Sequence, residues 1–160
     1  MIEHNALRLT DYQALAEFRY QLRRFLRFSE EAAREAGLEP QQHQLMLAVK
    51  GQRDAGGPRI SYLAERLQIQ HHSAVELVDR LARKGLIRRS RGGEDRREVQ
   101  VRLTTRGEKV LGELTLHTRA ELRSAAPALV ATLRKLTTHA SSRTHGGPPR
   151  QPVMPGRSKA

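Results

Sequence analysis

Apolar residues return at three- and four-residue steps from Leu15 through Phe18, Leu22, Phe25, Leu26 and Ala33, the spacing of one long amphipathic helix that Gly37 would stop. At its head, Thr10-Asp11-Tyr12-Gln13 has the form of a capping box. Pro40 suits the first turn of a second helix, with Leu45, Met46 and Val49 facing inward and Gly51 at its end. The stretch DAGGPR, residues 54–59, reads as a loop. Ile60 to Leu67 (ISYLAERL) is a short helix with Leu63, Ala64 and Leu67 on one face, and Gln68-Ile69-Gln70 is long enough only for a turn. A further helix runs from His71 to about Lys84, buries Val75, Val78 and Leu81 with Leu77 at the edge of that face, and stops at Gly85.

The period then changes. Leu86 and Ile87 enter a strand, Gly92-Gly93 makes a turn, and Val99, Val101 and Leu103 alternate with Gln100 and Arg102, so one face of a hairpin is packed and the other wet. Thr104 or Thr105, the latter three residues ahead of Glu108, caps another helix striped by Val110, Leu111 and Leu114. Pro127 is expected to divide it from a last helix carrying Leu129, Leu133 and Leu136. No internal repeat is visible. The fold class is mainly α with a small β-hairpin, and two short helices joined by a three-residue turn make a helix-turn-helix.

Composition sharpens the picture. The chain has 160 residues, one domain's worth, with 29 Lys and Arg against 17 Asp and Glu, giving +12. Such a surplus favours a polyanionic partner. It is unevenly spread: residues 1–40 hold six basic and seven acidic side chains, whereas residues 71–110 hold eleven basic and six acidic. Residues 141–160 add four basic residues and no acid among Pro, Gly and Ser, and read as a disordered basic tail. Cysteine is absent, which excludes disulfides, thiol chemistry and Cys-ligated zinc. No apolar run approaches the roughly 20 residues of a membrane span, and the N-terminus lacks a basic region followed by an apolar stretch, so a soluble, cytoplasmic protein is expected.

The second helix of a helix-turn-helix enters the major groove with its N-terminal turn against base edges. Gln70, His71, His72, Ser73 and Glu76 occupy that turn here, and Arg80, Arg83 and Lys84 lie behind it, within reach of flanking phosphates. Such turns also occur in helical domains that never meet DNA, so the hairpin carries weight. Arg88, Arg89, Arg91, Arg96 and Arg97 surround its Gly-Gly turn directly after the helix-turn-helix. Arginine's planar, weakly hydrated fork suits a narrow minor groove. Asp95 beside Arg97 is placed to hold a guanidinium in one rotamer, the plainer reading being a solvated turn residue.

The run LAERLQIQHHSAVELVDRLARKGLIRR followed by EDRREVQVRLTTRG resembles the MarR family of winged helix-turn-helix transcription regulators. Asp95-Arg96-Arg97 and Leu103-Thr104-Thr105-Arg106-Gly107 match the family's wing signature, and LEPQQHQLM, residues 38–46, is similar to its second helix. The resemblance covers about residues 10–136. It implies a single domain over residues 1–140, with dimerisation helices at about 10–36 and 105–139 around a winged helix-turn-helix at about 38–104. It further implies a homodimer on a pseudo-palindromic operator, acting as a repressor, with Arg97 entering the minor groove and Gln70 to Glu76 reading bases. Many relatives respond to a small anionic or phenolic effector, for which no residue here is singled out. Gln68 stands where the family often has Gly, and His71 and His72 replace commoner small or basic residues.

A dimer also follows from the residues themselves. The leucines of the terminal helices, with Leu7 and Leu9, exceed what a small winged core can cover. Other chemistry is poorly served. His71 and His72 are adjacent and point apart, and His4, His43, His117, His139 and His145 are scattered, so no metal is expected. No Ser-His-Asp order, phosphate loop or apolar carboxylate pair is present, which argues against an enzyme and against a cofactor. The competing readings are a protein-interaction module whose basic hairpin grips an acidic partner, and a nonspecific DNA-coating protein aided by the tail.

Overall fold

The computed structural model describes residues 7–53, 56–91 and 99–141, with the backbone alone for Arg91 and residues 138–141. The elements are α1 (Leu9–Glu35), α2 (Pro40–Gly51), α3 (Ile60–Leu67), α4 (His71–Arg83), β1 (Ile87–Arg91), β2 (Val99–Leu103) and α5 (Thr105–Ser141). The architecture is the expected one: a helix-turn-helix and its hairpin, framed by a long helix from each end of the chain.

The core lies where α2, α3, α4 and β2 converge. Leu45, Met46, Leu63, Val78, Leu81 and Val101 are fully buried there, each worth about 1.5–3 kcal/mol of transfer free energy. On α4 the burial departs by one position from the sequence reading: Ala74 and Leu77 are buried and Val75 is only half so.

Three helices stop in the same manner. In α1, Gly37 (φ +75°) donates to the Arg34 carbonyl and Leu38 to that of Ala33; in α4, Gly85 (φ +68°) donates to Ala82 and Leu86 to Leu81. Each left-handed residue turns the chain so that the next one, Leu38 or Leu86, drops into the core. The third stop, at the end of α3, uses Gln68 in place of glycine.

The hairpin is antiparallel, with Ile87 opposite Leu103, Arg89 opposite Val101 and Arg91 opposite Val99. Ile87 and Val101 face the core. The segment read as a loop before α3 adds an isolated bridge between Arg59 and Gln100, and the Val101 N–H donates to the Pro58 carbonyl at 3.0 Å. β2 is therefore held on both edges. The Gly92-Gly93 turn and the side chains of Asp95, Arg96 and Arg97 lie outside the described residues, as does the tail beyond residue 141.

Two expectations are corrected. α1 begins at Leu9, and its box is made by Arg8, whose backbone N–H donates to Asp11 Oδ2 at 2.8 Å, so Thr10 and Gln13 are inside the helix. Asp11 is also the charge that suits a helix N-terminus. Pro127 does not divide the last helix: α5 is continuous from Thr105 to Ser141. The carbonyl of Arg123 loses its helical partner, but Arg123 and Pro127 are both exposed, so water can satisfy it. Packing on α1 holds α5 on either side of the proline, with Leu114 and Thr132 buried.

Candidate nucleic-acid interface

The turn between α3 and α4 is set by its backbone. Gln68 takes φ 54°, ψ 43°, a left-handed conformation that costs a side-chain-bearing residue roughly 1–2 kcal/mol. Its N–H donates to the Glu65 carbonyl and that of Ile69 to the Ala64 carbonyl, both at 3.0 Å. The Gln68 side chain then bonds Glu65 O at 2.8 Å, and Ile69 packs against the core. This turn swings α4 outward from α3 with a defined angle. Gln70, in extended conformation, is its N-cap residue.

α4 divides cleanly into two faces. Ala74, Leu77, Val78 and Leu81 are buried, while Gln70, His71, His72, Glu76, Arg80 and Arg83 are exposed and Ser73 is half-buried. The structure thus brings together, along one convex ridge, the residues predicted to read bases and the two arginines predicted to follow the backbone. Lys84, also exposed, donates from its Nζ to the Gly37 carbonyl at 2.7 Å and to Gln42 Oε1 at 3.2 Å, capping the end of α1.

The wing is joined to this ridge by contacts the sequence did not announce. Arg89 Nη2 meets Asp79 Oδ1 at 2.6 Å, tying β1 to α4. Partly exposed, the pair contributes about 0–1 kcal/mol. Glu76 lies 3.6 Å from Arg80 one turn along the same helix. Arg88 sits opposite Arg102 across the strands, two like charges whose cross-strand placement is unfavourable without an anion or carbonyl nearby. Arg102 Nε finds such an acceptor in the Gly56 carbonyl, at 2.8 Å.

The stretch Leu103 to Gly107 couples the wing to α5. The Thr104 hydroxyl donates to the Gly85 carbonyl at 2.7 Å and accepts from the Gly107 N–H at 3.0 Å, so Thr104, and not Thr105, is the cap. The Thr104 N–H donates to Leu86 O at 3.0 Å. A Cβ on Gly107 would overlap that same carbonyl oxygen. One short motif therefore fixes the end of α4, the start of β1 and the start of α5 together. Lys50 Nζ reaches Glu108 Oε1 at 2.6 Å and adds a link from α2. Arg91 is placed by its backbone on β1, at the hairpin's outer end; Asp95, Arg96 and Arg97 belong to the segment beyond it.

Among the described residues no group of three or more His, Asp or Glu side chains is arranged to hold a metal ion. No helix described is long and apolar enough to cross a membrane.

Residues 36–98 match the MarR family model. No curated protein matches the sequence. Solved structures match the fold along most of the chain. AbsC from Streptomyces coelicolor, a MarR family transcriptional regulator, is 22% identical, with 84% of this chain and 94% of that one covered at a TM-score of 0.66. A mutant MarR from E. coli complexed with operator DNA is 21% identical, covering 77% and 89% at 0.61. CouR from Rhodococcus jostii RHA1, bound to p-coumaroyl-CoA, is 20% identical, covering 77% and 87% at 0.59. The sequence match spans α2 to the wing, the segment that builds the helix-turn-helix, and the structural matches extend to the framing helices. Residues 36–98 thus resemble the MarR family, and the structural likeness shows that the winged helix-turn-helix fold extends along most of the chain.

Proposed function

We propose that this protein is a homodimeric, sequence-specific DNA-binding regulator that represses at a pseudo-palindromic operator. The observation that carries the reading is the face of α4: a polar ridge of Gln70, His71, His72 and Glu76 with half-buried Ser73, followed by Arg80 and Arg83, on a helix whose opposite side packs Ala74, Leu77, Val78 and Leu81 into the core. In this reading the ridge lies in the major groove, Arg80 and Arg83 follow phosphates, and Arg91, Arg96 and Arg97 carry the wing into the adjacent minor groove with Asp95 as orienter. E. coli MarR in complex with operator DNA supports it as a relative of the same fold.

The dimer rests on exposed apolar surface. Leu15, Leu22 and Leu26 line one face of α1, and Leu122, Val130 and Leu133 one side of α5; each is between 39% and 51% exposed. A twofold pairing of these helices covers them and sets two copies of α4 about 34 Å apart, one turn of DNA. CouR, a structure of the same fold, is bound to p-coumaroyl-CoA, and a small effector of this chain is assigned to the groove of about 330 Å³ between the wing root, the end of α2 and the start of α5. Arg88 is its cation beside the Lys50–Glu108 pair, and Val49 and Leu103 form its apolar wall.

The test is selection of bound duplexes from a random pool, followed by affinity measurement on the winners. Twofold-symmetric winners with half-sites about one helical turn apart are expected. Retention that is weak and indifferent to sequence would overturn the reading in favour of a protein-interaction module or a DNA-coating protein.

A further inference from the structure

We infer that DNA binding by this protein is coupled to proton uptake by His71 and His72, so that acidification tightens its grip on the operator. The inference rests on the proposed role of α4 and adds to it a chemical input. Both imidazoles are exposed, both lie in the first turn of α4, and neither makes a hydrogen bond or ion pair among the described residues. That first turn contains no acidic residue. Further along, Glu76 is near Arg80 and Asp79 is taken by Arg89, so both carboxylates of α4 already have cations.

The other titratable or charged groups on the elements packed against α4 are Tyr62, Glu65 and Arg66 on α3, His43 and Lys50 on α2, and Arg88, Arg89 and Arg91 on β1. Of these only Glu65 is an acid, and His43 is buried. Among the described residues the imidazoles thus have only Glu76, one turn beyond His72 and shared with Arg80, and Glu65 on α3 as nearby carboxylates. A phosphate backbone supplies further counter-charge. Imidazole is the side chain whose charge changes between about pH 5 and 8, and an anion within about 4–6 Å favours its charged form. A group that is more protonated in the complex than in the free protein makes affinity rise as pH falls, and by reciprocity makes binding take up protons.

Two readouts follow. Affinity for the selected operator is expected to rise by up to about tenfold per imidazole between pH 8 and pH 6, at constant ionic strength. Each imidazolium set against a phosphate also releases a counterion, so the slope of log K against log salt should steepen by up to about 0.9 per histidine over that range. Acid destabilisation of the fold acts in the opposite sense and cannot imitate either effect.

The experiment measures operator affinity of the full chain by fluorescence anisotropy at pH 6, 7 and 8, each at three salt concentrations. It compares wild type with His71→Gln/His72→Gln and with His117→Gln, a control on α5. Proton uptake is read separately by calorimetry in buffers of different ionisation heat. The inference predicts a pH-dependent slope and proton uptake in wild type and His117→Gln, and loss of both in the double variant whatever its absolute affinity. Tight operator binding that is flat with pH, or a pH dependence surviving in the double variant, overturns it while leaving the DNA-binding reading intact. Failure of the wild type to bind any selected duplex at any pH overturns that reading, and this inference with it.

Discussion

Single residues decide how the elements meet, and they differ in how openly the sequence declares them. Gly107 is legible as part of the Leu103–Gly107 motif, but its reason is spatial: a Cβ there would overlap the Leu86 carbonyl oxygen, which itself accepts from Thr104. Gly107→Ala should therefore lower stability by about 1–3 kcal/mol, the usual range for overpacking, with the loss measured by chemical denaturation. Gln68 is the converse case. Nothing about glutamine announces a left-handed residue, and the position was legible because three residues cannot join α3 to α4 without a sharp turn and because the resembled family often has Gly there. Gln68→Gly should be more stable than Gln68→Ala by about 1 kcal/mol, since only alanine keeps the left-handed penalty. Equal denaturation midpoints for the two variants would show the turn to be relaxed.

His43 makes a third residue-scale case, one the sequence reading set aside among scattered histidines. It is 2% exposed, its Nε2 has no hydrogen-bond partner among the described residues, and burial holds its imidazole below the ordinary value. The sign follows from which state takes the proton first. The unfolded chain protonates near the ordinary value of about 6.5, the folded protein only lower, so stability is full above that range and is lost as pH falls through it towards the depressed folded value. His43→Leu should flatten this dependence between pH 7 and 5 in thermal melts; an unchanged profile would place the acid sensitivity elsewhere.

At the scale of elements, periodicity located every helix of the winged core, and α3 and α4 are each stopped by a left-handed residue that brings the next apolar side chain to the core. What it could not locate was the behaviour of helices held by a neighbour. The box of α1 slid from Thr10 to Arg8 because Asp11 is the better anion for a helix start. α5 runs through Pro127 because its contacts with α1 lie on both sides of the proline, and contacts between remote segments leave no periodic trace. The proline still forfeits a backbone hydrogen bond. Pro127→Ala should stabilise the protein by on the order of 1–3 kcal/mol and raise its helical circular dichroism. A fall in stability would mean that the proline's ring packs against something the alanine cannot replace.

For the whole molecule, the central question is why two long helices frame so small a core. Their inner faces are used: Phe28 stacks on His117 at 5.0 Å between ring centroids, and Leu111, Leu114 and Thr132 are buried. Their remaining apolar side chains are not covered by the described residues. Leucines at 22 on α1 and 133 on α5 are 39% and 44% exposed, so in a lone protomer a glutamate at either place would be solvated and cost little. In a twofold dimer the same two positions would carry four carboxylates into an apolar interface, where unpaired charge costs several kcal/mol each. Leu22→Glu/Leu133→Glu should therefore shift sedimentation equilibrium from dimer to monomer while the winged core still unfolds cooperatively. Operator affinity should then fall much further than affinity for a single half-site, because the second half-site is no longer bound at the effective concentration that dimerisation provides. If the double variant remains dimeric, the partner surface lies elsewhere on the framing helices. If wild type and variant are both monomeric and bind a half-site equally well, the framing helices serve only to brace the wing and the operator need not be palindromic.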